Sequence, residues 1–120
     1  MKIRSITYFL DPGFPFEHKK FDSAQSFGNL SRSVLEEAGY EVQTTRLATI
    51  PFPVMFAGLN TKESVQAAQE IETLAIEAGF NFTSFGPALI SHPASYDLIP
   101  EIIANTESIF LSAEIATNLG

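Results

Sequence analysis

One signal occurs twice in this chain, forty positions apart: Glu37-Ala38-Gly39-Tyr40 and Glu77-Ala78-Gly79-Phe80. In each copy an amphipathic stretch runs into glycine, and a run rich in β-branched and apolar residues follows. Glycine takes the left-handed conformation that ends a helix without a Cβ penalty. Each copy therefore reads as a helix stop that feeds a strand. The correspondence continues with Val42 and Phe82, Thr44 and Ser84, Ile50 and Ile90, Pro53 and Pro93. Two βα units of equal length produce such a pattern without gene duplication, and the small number of identities favours that reading. Either origin fixes the phase of strand and helix.

Taken in order, residues 2–10 are β-branched and aromatic enough for a first strand, and Asp11-Pro12-Gly13 closes it with turn chemistry. A loop over residues 14–20 holds Pro15 and His18. Asp22 or Ser23 can cap a helix reaching about Ala38, with Phe21, Ala24, Phe27, Gly28, Val34, Leu35 and Ala38 on one face. Glu41 to Ile50 is the second strand, and Pro51 and Pro53 end its pairing because neither can donate a ladder hydrogen bond. Residues 54–59 are an apolar connector, and Phe52, Met55 and Phe56 form an apolar cluster after the second strand that can serve as a pocket wall, a subunit contact or core, with core or contact favoured. Asn60 with Glu63 fits a capping box, and the helix it starts reaches Ala78, with Val65, Ala68, Ile71, Leu74, Ala75 and Ala78 on one face. Phe80 to Ile90 is the third strand, with a bend or bulge at Gly86-Pro87. Asp97 can cap a short helix with Pro100 in its first turn, and Ser108 to Ala116 is the fourth strand.

This order predicts an α/β fold, βαβαβαβ, with a mostly parallel sheet and right-handed crossovers. The strands read as largely apolar, the pattern of a sheet covered on both faces. Residues 1–120 make one domain. Nothing follows the fourth strand to cover it. The expectation is therefore either an N-terminal fragment of a longer protein or a chain whose sheet is completed by a partner.

Composition excludes several classes. The net charge is −7 with only seven Lys and Arg residues, scattered along the chain, so no basic face is available for nucleic acid. The absence of cysteine removes disulfides, thiolate metal sites and cysteine nucleophiles. Lys2 and Arg4 precede an apolar stretch, but Ser5 and Thr7 interrupt it and Asp11-Pro12-Gly13 ends it, unlike a signal peptide. No apolar run approaches the ~18 residues of a membrane span. A soluble, cytoplasmic protein without a membrane partner is expected.

Parallel α/β sheets bind ligands beyond the carboxyl ends of their strands. Those ends carry Asp11, then Pro51-Phe52-Pro53, then Ser91-His92-Pro93, and finally Glu114 with Thr117 and Asn118. Asp11, His92 and Glu114 gathered along one edge would have the chemistry for acid–base work or a metal. A lone His before Pro is also an ordinary turn residue, and no His pair stands at metal-ligand spacing. Neither a metal nor a cofactor is assigned. Arg46 is the outlier within a strand. It can clamp a carboxylate or phosphate through its planar fork. It can equally serve a structural ion pair or reach out from an edge, and Arg4 has the same alternatives. Glycine-rich dinucleotide and P-loop signatures are absent, as is a Gly-x-Ser-x-Gly elbow.

The opening Met1-Lys2-Ile3-Arg4-Ser5-Ile6-Thr7 and the segment Glu37 to Thr49 resemble the start of a family of uncharacterised bacterial and archaeal proteins. Members of that family are similar in fold to the α/β barrel of pyruvate formate-lyase and other glycyl-radical enzymes, and are several times longer. The resemblance implies a parallel α/β chain that is the N-terminal part of a larger barrel. It carries over no catalytic residue, and a chain without cysteine does not support the barrel's radical chemistry.

Two functional expectations follow. In one, the protein binds a small anionic molecule at the carboxyl edge of the sheet, with Arg46 as anion clamp and His92 and Asp11 as polar or acid–base groups. In the other, it is an assembly module. Its fourth strand and the Phe52–Leu59 connector then dock on a second copy, a partner chain or a missing C-terminal portion.

Overall fold

The computed structural model describes residues 2–12 and 18–115. Along them run β1 (Lys2–Leu10), α1 (His18–Glu37), β2 (Glu41–Pro51), α2 (Phe52–Met55), α3 (Thr61–Glu77), β3 (Phe82–Gly86), α4 (Ser95–Asn105) and β4 (Ile109–Phe110). The strands form one sheet in the order β1-β2-β3-β4, and every pairing is parallel. The α/β class and the parallel sheet are those expected from the sequence.

The duplicated signal does what its glycines require. Gly39 and Gly79 both adopt φ 93. Gly79 N–H donates to Ile76 and Phe80 N–H to Ala75, while Gly39 N–H donates to Glu36 and Tyr40 N–H to Leu35, all within 3.0 Å. Both helices thus end in the same paired-bond motif. The capping box at the start of α3 is also present: Asn60 Oδ1 accepts from Glu63 N–H at 2.8 Å, and Glu63 Oε1 accepts from Asn60 N–H at 3.1 Å.

Several boundaries differ from expectation. Helix α1 starts at His18, ahead of Asp22, so residues 18–20 are helical, and Gly13 and Pro15 lie outside the described residues. Its apolar residues divide into two stripes. Phe21 and Ala24 enter the core, and Gly28 lies against the Phe80 ring. Phe27, Leu30 and Val34, with the same three-and-four spacing on a neighbouring line, are 48%, 65% and 55% exposed. Helix α4 starts at Ser95 because turns from His92, Pro93 and Ala94 precede it and Ser95 Oγ donates to the His92 carbonyl at 2.6 Å. Pro100 therefore falls inside the helix, beyond its first turn. The Phe52–Leu59 connector is a helical turn, α2, with Phe52, Met55 and Phe56 in the core.

The third and fourth strands are shorter than predicted. β2 and β3 converge at Gly86, where the register slips between Ala48 and Pro51. The chains then diverge, and only an isolated Ala88–Ala113 bridge continues the β3–β4 ladder. Ala116 lies outside the described residues.

The register sorts strand residues into two faces. One row, Tyr8–Leu47–Thr83–Ile109, meets the helices. Leu10, Leu47, Phe85 and Ile109 join one core cluster with Phe21 and Ala24 of α1, Phe52 and Met55 of α2, Ala68, Ile71 and Ala75 of α3, and Ile102 of α4. Consecutive right-handed crossovers in an in-order sheet place every helix on that side. The opposite face carries the rows Thr7–Arg46–Phe82 and Phe9–Ala48–Ser84–Phe110. There Phe9 is 77% and Phe110 49% exposed. The expectation of a sheet covered on both faces is thus corrected: among the described residues, helices cover one.

Candidate functional site: a bare sheet face and a cleft at its carboxyl edge

The candidate residues fall in three places. Arg46 is exposed on the bare face, between Thr7 of β1 and Phe82 of β3. Strand alternation puts its side chain opposite the buried Leu47, so it needs no carboxylate partner in the core. It stands five residues before the end of β2, about 16 Å below the carboxyl edge at 3.3 Å per residue. The Arg4 side chain lies outside the described residues.

Asp11 follows β1 at the carboxyl edge. Its carbonyl accepts from Lys20 Nζ at 2.8 Å, which ties the start of α1 to the strand end. Asp11 shares a shallow hollow of about 360 Å³ with Phe9, Thr49 and Ile50.

His92 lies two strands away, in the turns that lead into α4. Its Nδ1 shares a hydrogen bond with Ser91 Oγ at 3.0 Å. Glu114 is occupied structurally: Oε1 accepts from Ile90 N–H at 3.0 Å, and its carbonyl accepts from the Tyr96 hydroxyl. Thr117 and Asn118 lie outside the described residues. Among the described residues, no cluster of three or more His, Asp and Glu side chains gathers at metal-binding distance. Asp11, His92 and Glu114 do share the carboxyl side of the sheet, but they do not converge on one point.

His92 does border a cleft. A cavity of about 440 Å³ opens beyond the ends of β2 and β3, between the α2–α3 connection and the approach to α4. Pro53, Phe56, Leu59 and Leu98 make its walls apolar, and Asn60, Thr61, Ser64, His92 and Ser95 are the polar residues of its lining. The volume is in the range of small-molecule sites. Ser64 is a residue that the sequence reading passed over. It stands in helical register with Ala67, Ala68 and Ile71, so a hydroxyl on the core-facing stripe of α3 was the available signal. Ser64 is 1% exposed, and its Oγ has no hydrogen-bond partner.

The bare face and the cleft together belong to an in-order parallel α/β sheet, a protein class that places its sites beyond the carboxyl ends of its strands. Within that class, the family model described as uncharacterised ACR (DUF711) matches residues 1–120, and the chain belongs to that family. No curated protein matches it. None of the helices among the described residues is long and apolar enough to cross a membrane.

Proposed function

We propose that this chain is one wall of a larger parallel α/β enclosure, with its bare face turned inward, and that the enclosure holds a small anionic molecule against Arg46. The observation that carries the reading is the one-sided sheet. All-parallel sheets normally bury both faces. Here Phe9 and Phe110 stand in solvent on the uncovered side. Burying a large apolar side chain is worth roughly 1.5–3 kcal/mol, so that face gains from a cover. Arg46 stands between Thr7 and Phe82, with Phe9 and Ser84 in the next row of the same face, a setting in which a guanidinium is partly desolvated once the face is enclosed. A planar fork there suits a carboxylate or phosphate. Asp11, beside Phe9 at the rim, is the acid–base candidate. A second copy of the chain supplies the cover.

Native mass spectrometry of the purified chain tests this reading. The expected result is a multimer that carries extra mass, which Arg46→Ala loses while the multimer and its thermal transition remain. Arg46 is exposed, so its truncation should change stability by no more than about 0.5 kcal/mol. A bare monomer at micromolar concentration would overturn the assembly, and mass retained by Arg46→Ala would overturn the role of the arginine.

A further inference from the structure

The sheet ends at β1, and among the described residues no strand pairs with its outer edge. That edge is nine residues long and keeps one register with β2 from Ser5 to Leu10. It has neither the proline nor the bulge that protects an open edge, and its only charges, Lys2 and Arg4, stand at its start. The outer stripe of α1 runs beside it. The Phe27 ring lies 5.2 Å from the Tyr8 ring of β1, while the inner side of α1 packs toward β2 and α3. Phe27, Leu30 and Val34 therefore follow the open edge.

Helix α1 also carries its charges against its own dipole. Lys19 and Lys20 stand in the first turn, and Glu36 and Glu37 in the last. Extended by spacings of three and four, the line of the outer stripe runs from Lys19 through Ser23, Phe27, Leu30 and Val34 to Glu37. Such a line is complementary to itself when reversed. An antiparallel pair centred near Gly28 sets Lys19 against the partner's Glu37 and Phe27 against the partner's Leu30.

We infer that two copies of this chain join about a two-fold axis through β1 and α1, the β1 strands pairing antiparallel into one continuous sheet and the α1 helices packing side by side. The spacing fits. Because α1 lies over β1 and β2, paired β1 strands place the two helix axes two strand spacings apart, about 10 Å, the separation of packed helices. With 20 residues in α1 and 9 in β1, each element is about 30 Å long. A strip of that length and about 20 Å deep buries on the order of 1,200 Å² over both copies, the size at which specific interfaces begin. Joining β4 of one copy to β1 of the next would bring up α4 instead, which has no lysine or arginine to meet Glu37. The surface is distinct from the bare face, although Phe9 borders both because it stands on β1.

Sedimentation velocity of the intact chain reads the association. Leu30→Asp is expected to weaken it by about tenfold or more without altering the circular dichroism spectrum, since Leu30 is 65% exposed. Lys19→Glu and Glu37→Lys are each expected to weaken it by about three- to tenfold, because each turns two symmetry-related attractions into repulsions. The double variant is expected to restore it. Within one helix the two positions are about 27 Å apart, well beyond the Debye length of about 8 Å at physiological salt, so restoration requires a second copy. Amide exchange in β1 is expected to slow as protein concentration rises. Unchanged association in Leu30→Asp would overturn the inference and leave the bare-face reading standing. Additive losses in the double variant, β1 exchange independent of concentration, or an unaltered chain that stays monomeric would overturn it as well.

Discussion

Gly86 shows how much a single position can constrain, and why only part of that is legible. The Gly86-Pro87 pair marks a bend in the sequence, and the bend is there. The reason for glycine is not visible in the chain around it. A Cβ at Gly86 would lie 2.4 Å from Pro51 N and 2.5 Å from Ile50 C, on the neighbouring strand and far earlier in the chain. Those are backbone atoms, which cannot rotate away. Gly79 is different: nothing lies near its missing Cβ, and its φ of 93 is the constraint. Gly86→Ala is therefore expected to lower stability by about 2–3 kcal/mol, as overpacking in a rigid site does, measured by urea denaturation. A loss under about 0.5 kcal/mol would mean that β2 and β3 do not close together as described. Arg46 teaches the complementary lesson. Alternation along β2 shows that Arg46 and Leu47 face opposite ways, but not which face the helices take. That is settled by strand order, which one strand's sequence does not contain.

Among the elements, those closed by local chemistry were legible and those closed by distant contacts were not. The capping box and the two glycine stops lie within a few residues of the helices they bound, so α3 and the end of α1 could be read directly. β4 could not. Its two residues pair with Thr83 and Ser84 of β3, and α3 holds the segment that leads into them. Glu72 Oε2 accepts from Glu107 N–H at 2.8 Å, Ser108 N–H at 2.6 Å and Ser108 Oγ at 3.0 Å. One turn earlier, Gln69 Nε2 donates to the Asn105 carbonyl at 3.2 Å. One face of α3 thus holds the connection from α4 into β4. Asn81 plays a similar part for β3: its Oδ1 accepts from Thr45 N–H, and its own N–H donates to the Thr45 carbonyl, both at 2.9 Å. Hydrogen bonds to a carboxylate are worth more than neutral ones. Glu72→Ala is expected to destabilise by about 2 kcal/mol and to speed amide exchange at Ser108 and Ile109 selectively. Glu72→Gln, which keeps an acceptor, should recover part of the loss. Uniform acceleration throughout the sheet would show instead that Glu72 supports the whole fold.

For the whole molecule, the two faces of the sheet set up opposing forces whose balance can be measured. The helix side was foreseeable, because amphipathic helices need a sheet to lie on. The bare side was not, because Phe9 and Phe110 look like core residues in the sequence and only the in-order topology leaves them uncovered. Their burial favours association. The net charge of −7 opposes it, since each copy repels the next. Screening weakens the repulsion, with a Debye length of about 30 Å at 0.01 M salt and 3 Å at 1 M, and leaves the apolar gain largely intact. Association through the bare face should therefore tighten as salt rises, the reverse of an interface held by opposite charges. Sedimentation velocity across that salt range checks the sign. Phe9→Asp should shift the population to monomer at every salt concentration, with helix content unchanged because the side chain is already 77% exposed. Ile103→Asp, an equal change at a 56% exposed position on the helix side, should leave association as it was. If Ile103→Asp dissociates the multimer and Phe9→Asp does not, the copies meet through their helices, and the bare face must find its cover elsewhere.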